Sequence, residues 1–284
     1  MENSFVISYL PGQHLIQKLN GTTKLLLLVS SLSLIMISFD IRILIPTFAL
    51  NIIFLISVKP KWRQIRGITY FIVFMNLFNI LLMYLVSPTI GVSEIGHSDV
   101  WFSIIGRYVV TPETLFYLSV RLLKIFSMFI ASLWFVLSIT PSELGVGLYR
   151  LHVPYKICTV VSLGLRSIPD ISRNYREIKN SLQMRGLELD KKRVSVFKRL
   201  KQSVTILIPL LLSTFERVDV IASAMDLRLY GIGKKRSYYS YKKPTRNDQF
   251  FRLIVIIQLI VFAVYLVVVV FLRPAGAGRV WYPW

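Results

Sequence analysis

Two arginines carry the most chemical promise in this chain, because each closes a short phrase that is written twice. Ser181-Leu182-Gln183-Met184-Arg185-Gly186 and Ala224-Met225-Asp226-Leu227-Arg228-Leu229 share an apolar, polar, apolar, Arg order. Glycine follows both, as Gly186 in one copy and as Gly231 and Gly233 in the other. An arginine at a helix end has two uses. It can offset the partial negative charge of the last carbonyls, worth a few tenths to about 1 kcal/mol. It can also carry a planar guanidinium fork outward to a carboxylate or to backbone carbonyls of a partner. The repetition of the phrase favours the second use.

Other chemistries are missing from the sequence. There is no glycine-rich phosphate loop, no nucleophile elbow and no metal-ligand cluster. Cys158 is the single cysteine, which excludes an intrachain disulfide and a Cys-rich metal site. His14, His97 and His152 are too far apart in sequence to read as a ligand set, so no metal is expected. The acidic residues between 140 and 248 are scattered, and several are spaced for local helix pairs.

The elements that must position the arginines are two basic amphipathic stretches, roughly 155–189 and 203–233. In the first, Ile157, Val161, Leu165, Ile168, Ile171, Tyr175, Ile178 and Leu182 recur in steps of three and four, one apolar stripe down a helix. In the second, Val204, Ile208, Leu211, Phe215, Val218, Ala222, Met225 and Leu229 do the same. Glycine after each phrase marks where the helix stops. Each stretch contains a proline, Pro169 or Pro209, which removes a backbone donor and predicts a kink or a restart.

Composition sets the surroundings. Of 284 residues 54% are hydrophobic, and 34 Lys and Arg against 14 Asp and Glu give a net charge of +20. With a mean hydropathy of +0.59, this is an all-α polytopic membrane protein with a large basic face on one side, not an ordinary soluble domain.

Four spans are expected at about 23–39, 42–58, 67–86 and 114–139, and a fifth from Phe250 to Leu272. The first two are short and read as a helical hairpin across the membrane, or as a buried or re-entrant pair. Asn76 and Asn79 on the third span suit hydrogen bonds between helices. Arg121 and Lys124 near the start of the fourth suit snorkelling to headgroups. The chain therefore divides into a membrane domain at 1–139, a cytoplasmic coupling-helix domain at 140–248, and a last span with its tail at 249–284. The tail holds Trp281 and Trp284, suited to a membrane interface.

Loop charge sets the orientation. The loop with Lys59, Lys61, Arg63 and Arg66 is basic, and 140–248 has roughly twice as many basic as acidic residues. The loop at 87–113 is acidic, so five spans place the N-terminus in the cytoplasm and the C-terminus outside. No charged residue is read deep in a span, which argues against a self-contained ion-coupled transporter.

Several ordered phrases resemble one family. Thr140-Pro141-Ser142-Glu143-Leu144, Leu151-His152-Val153-Pro154, Leu165-Arg166-Ser167-Ile168-Pro169 and Met184-Arg185-Gly186 are similar to the transmembrane coupling subunit, or T component, of energy-coupling-factor transporters. These are ABC-type importers of vitamins and transition-metal ions. The opening phrase Lys18-Leu19-Asn20-Gly21-Thr22-Thr23-Lys24-Leu25 and the segment 231–239 extend the resemblance over most of the chain.

The resemblance implies a division of labour. Two coupling helices end in X-Arg-Gly motifs that dock in grooves of two cytoplasmic ABC ATPase subunits. A separate membrane-embedded S component binds the substrate and packs on the T component. Met184, Arg185 and Gly186 match the first motif; Leu227, Arg228 and Leu229 match the second except that leucine replaces glycine, which arrives only at Gly231. Leu229 cannot take a positive φ cheaply, so the departure from the motif leaves the local backbone open. Ile171, Tyr175, Ile178 and Leu182, with Leu211, Phe215, Val218 and Ala222, would pack the helices on each other and on the S component. ATP would be bound by the partner subunits, and no cofactor by this chain.

Three other classes compete. A membrane enzyme needs a carboxylate pair or histidine site that the sequence does not offer convincingly. A basic membrane-anchored scaffold could hold nucleic acid, but Lys and Arg interleaved with an apolar stripe suit packing against protein or lipid, so no nucleic acid is expected. A conventional ABC permease would form its own substrate path.

Overall fold

Threonine followed by proline opens two of the helices. Thr111 caps the helix that begins at Pro112, its side chain accepting from the Thr114 N–H at 3.3 Å. Thr140 accepts from the Glu143 N–H at 3.2 Å where the next helix begins at Pro141. Proline at the first helical position loses only a donor that would be unpaired there anyway. A computed structural model describes residues 15–60, 62–88, 90–95, 102–105, 108–187, 196–233, 237–238, 241 and 243–269. His14, Lys61, His97, the runs Lys191-Lys192-Arg193 and Lys234-Lys235-Arg236, and Trp281 and Trp284 lie outside the described residues.

The helices are α1 (Leu15–Lys18), α2 (Gly21–Ile37), α3 (Ile41–Val58), α4 (Trp62–Val86), α5 (Ile90–Ile95), α6 (Pro112–Ser138), α7 (Pro141–Arg150), α8 (Tyr155–Met184), α9 (Val196–Leu227) and α10 (Arg246–Val267). One small antiparallel hairpin, β1 (Phe102–Ile105) with β2 (Tyr108–Val110), interrupts an otherwise all-α fold among the described residues. The chain forms two compact units, Met1–Glu143 with Lys242–Trp284, and Leu144–Tyr241.

In the first unit α3, α6, α10 and the Ile65–Val86 part of α4 are long and apolar enough to cross a membrane. The fifth apolar helix, α2, has 17 residues, about 25 Å of helix and the lower limit for a span. The protein is thus a multi-pass membrane protein. The helix that carries the span expected at 67–86 begins earlier, at Trp62, so Arg63 and Arg66 are helical rather than part of a loop.

The core of this unit gathers on Trp134, fully buried beside Phe54 with ring centroids 5.3 Å apart. The Trp134 indole N–H donates to Asn51 Oδ1 at 2.9 Å, and Asn51 Nδ2 donates to Thr47 O at 2.8 Å. Gln258 joins α10 to α2 through Ser30 and Ser31. The Trp134–Asn51 and Gln258 bonds are polar links between helices, where an unmade hydrogen bond is costly. The expected pair Asn76 and Asn79 does not serve: Asn79 is exposed, and the buried Asn76 side chain has no hydrogen bond among the described residues. Helix α4 buries so little of itself that it offers no partner there. Lys124 does not snorkel either; its Nζ donates to Met36 O at 2.7 Å, a terminal carbonyl of α2, and lies 3.6 Å from the Phe39 ring centre.

Helix ends match up across the unit. Asp248 accepts from the Asn20 N–H (2.9 Å), Thr23 Oγ1 (3.2 Å) and the Thr245 N–H (2.9 Å), which brings the start of α10 to the start of α2. The Phe39 N–H donates to Tyr265 Oη at 3.2 Å near their other ends. Gly21 packs so tightly on Glu143 that a Cβ would overlap its carbonyl, which requires glycine there.

The second unit pairs α8 with α9. Cys158 is fully buried, its Sγ donating to Val153 O at 3.5 Å, and Ile206 is buried on α9. Of the kink or restart expected at Pro169 and Pro209, no restart occurs: α8 and α9 each run through their proline as one helix. One missing donor leaves the hydrogen bonds of the flanking turns to hold each helix.

Candidate functional site

The two arginine phrases end their helices by the same hydrogen-bond pattern. After α8, the Leu187 N–H donates to Leu182 O and the Gly186 N–H to Gln183 O, both at 3.0 Å. After α9, the Tyr230 N–H donates to Met225 O and the Leu229 N–H to Asp226 O, both at 2.9 Å. Each is a Schellman motif, with the residue after the arginine in the left-handed region: Gly186 at φ 92° and Leu229 at φ 56°. The leucine leaves the pattern of the second end unchanged. Leu229 takes the conformation that glycine takes in the first, at a backbone cost of about 1 kcal/mol. A third such end, after α7, has His152 at φ 66°, with its N–H on Tyr149 O and the Val153 N–H on Leu148 O.

Both guanidinium groups are exposed, and neither has an ion pair or hydrogen bond among the described residues. The residues before them are almost bare: Met184 is 84% exposed and Leu227 86%. Each helix end therefore presents an exposed cation next to an exposed apolar side chain. Gly231 follows the second end, also at positive φ (106°).

The separation of the ends follows from two contacts. Asp170 on α8 pairs with Arg217 on α9 at 3.5 Å, and Tyr155 packs edge-on against Tyr230 with ring centroids 5.8 Å apart. One residue number rises as the other falls, so the helices run antiparallel. Arg228 lies near the start of α8, and Arg185 at its far end. With 30 residues in α8 and a rise of about 1.5 Å per residue, the two arginines stand about 40 Å apart.

Aromatic contacts hold the second end. Besides Tyr155 and Tyr230, Tyr149 packs on Tyr238 at 5.2 Å, and the Arg150 guanidinium lies 4.2 Å from the Tyr241 ring centre. Burial pushes the Tyr238 phenol up, opposed by the hydroxyl of Thr159.

The apolar stripes divide unequally. On α8, Ile171, Ile178 and Leu182 are half-buried, while Tyr175 is exposed. On α9, Leu211, Phe215, Val218 and Ala222 are all exposed. That face of α9 is open, not spent on α8, and apolar surface of such extent marks a contact with protein or lipid.

Sequence reasoning missed two arrangements. Lys24, named in the sequence only within the opening phrase, is fully buried: its Nζ reaches Glu143 Oε2 (2.9 Å), Ser138 O (2.7 Å) and Gln17 O (3.2 Å). Glu143 sits three residues after the capping Thr140, where a capping-box glutamate would turn back on its own helix. That position was the available signal. The Asp170–Arg217 pair could not be read, since it depends on how α8 and α9 pack. Among the described residues no group of His, Cys, Asp and Glu could hold a metal ion.

Residues 12–239 match the family model described as CbiQ, cobalt transport protein. Three relatives carry the name energy-coupling factor transporter transmembrane protein EcfT. That of Lactococcus lactis subsp. cremoris is 26% identical over 276 residues, covering 92% of this chain and 97% of its own. That of Bacillus subtilis is 25% identical over 278 residues, covering 94% and 98%. That of Staphylococcus aureus is 27% identical over 277 residues, covering 92% and 97%.

Proposed function

Because the chain belongs to the CbiQ family of cobalt transport proteins and is a transmembrane component of the energy-coupling-factor type, we propose that it couples ATP-driven motion to a separate substrate carrier. The partners in this reading are two cytoplasmic ABC ATPase subunits, one gripping the helix end at Arg185 and the other that at Arg228. ATP is bound by those subunits, and this chain is non-catalytic. The carrier is a membrane-embedded S component that holds a vitamin or other micronutrient and packs on the apolar faces of α8 and α9.

The observation that carries the reading is the pair of matched ends. Two exposed guanidinium groups in the same Schellman geometry, about 40 Å apart, cannot share one groove. They suit two grooves on two subunits. Movement of the subunits would shift the helix ends, and with them the exposed face of α9 led by Leu211, Phe215 and Val218. ATP acts by its different affinity for the two arrangements. The basic region lies in the cytoplasm of a bacterial cell in this reading, with the N-terminus inside and the C-terminus outside, in accord with loop charge.

The test is co-expression with the ATPase subunits of the same genome, solubilisation in mild detergent, and purification through a tag on this chain. Both ATPases are expected to co-elute with the unaltered chain and to be lost from a folded Arg185→Ala/Arg228→Ala variant, because truncating a desolvated arginine hot spot typically costs about 2–4 kcal/mol. Unchanged recovery of both ATPases with that variant refutes the reading.

A further inference from the structure

The two helix ends share a backbone but not a surface. At Gly186 a Cβ would meet nothing within 4 Å, so space does not demand glycine there; only the φ of 92° favours it. At Leu229 the same left-handed position is filled by a leucine, the residue type that it suits poorly. Nothing in the chain offsets this strain through burial, since the Leu229 side chain is 69% exposed and Leu227 before it 86%. Glycine would serve the backbone better, and no contact among the described residues needs the leucine. Strain that the fold itself does not use points to a use outside the fold.

We infer that Leu229 is a specificity-determining residue of the second docking end, entering an apolar pocket in the groove that receives Arg228. This deepens the proposed docking function and rests on it. The second end offers a guanidinium flanked on both sides by exposed leucines, Leu227 and Leu229. The first offers a guanidinium with a single apolar neighbour, Met184, and no side chain at Gly186. The complementary surfaces differ in the same way. The groove for the second end needs an acceptor with an apolar pocket on each side; that for the first needs an apolar pocket on one side only. A groove with one apolar pocket gains less from the second end than a groove with two, so the two ATPase surfaces discriminate between the ends.

The experiment uses the full chain in mild detergent and the two ATPase subunits purified separately, with the affinity of each measured alone. Arg228→Ala identifies the subunit held at the second end as the one whose binding it weakens. Leu229→Gly and Leu229→Ala are each expected to weaken that subunit about tenfold or more, the value of one leucine side chain buried on binding. The other subunit should stay within about twofold, as an independent site. Leu229→Gly should leave the thermal stability of the free chain equal or higher, which separates lost docking from lost folding. Affinities unchanged within about twofold for both subunits, or weakened equally for both, overturn the inference while leaving the docking function intact. Failure of either subunit to bind the unaltered chain would instead refute the docking function itself.

Discussion

Lys24 and Glu143 lie 119 residues apart in sequence and meet as an ion pair, Nζ to Oε2 at 2.9 Å. The lysine side chain is 0% exposed and the glutamate 10%. A buried ammonium is tolerable only when its donors are matched, and here the carbonyls of Ser138 and Gln17 add to the carboxylate. The pair ties the first turn of α2 to the end of α6 and the start of α7, three segments that meet where Gly21 packs on the Glu143 backbone.

Breaking one side of this pair strands the other. Lys24→Met and Glu143→Gln are each expected to destabilise the detergent-solubilised protein by about 3–5 kcal/mol, the usual cost of an uncompensated buried charge. The Lys24→Met/Glu143→Gln double variant should lose less than the sum, because both charges are gone. Thermal unfolding of the four proteins gives the coupling; strictly additive losses would show that the two residues act separately.

The two left-handed positions make opposite predictions. Gly186→Ala should lower stability by about 1 kcal/mol, since alanine at φ 92° is strained although its Cβ has room. Leu229→Gly relieves strain but loosens the unfolded chain, so it should be neutral or stabilising by up to about 1 kcal/mol. Amide exchange at Leu187 and Tyr230, whose N–H groups close the two motifs, reports each end locally. Equal destabilisation by both changes would mean that Leu229 is held by contacts its exposure does not reveal.

Cys158 supplies a probe of the second unit. Burial pushes its thiol up, so near neutral pH the thiolate that reacts with alkylating agents is scarcer than for a free cysteine. Maleimide labelling of the folded protein at pH 7.5 should proceed at least about a hundredfold more slowly than after unfolding, with raised pH accelerating it only where unfolding accompanies it. As the sole cysteine it gives an unambiguous signal. Rapid labelling of the folded chain would contradict the packing of α7 and α8 around Val153 and Cys158.

Much of this protein was determined by local sequence. Apolar runs of span length made α3, α4, α6 and α10 legible, and steps of three and four made α8 and α9 legible, because helical periodicity is set by residues near in sequence. The positions of Arg185 and Arg228 at helix ends were legible for the same reason. Tertiary structure alone decided the rest. That Lys24 is buried on Glu143, that Gln258 rather than Asn79 links spans, and that Asp170 meets Arg217 all depend on which faces pack. The left-handed leucine at 229 shows the limit most clearly. Intrinsic preference excludes it by about 1 kcal/mol, while the cooperative ending of α9, with Tyr230 fixed on Tyr155, outweighs that preference and sets the backbone.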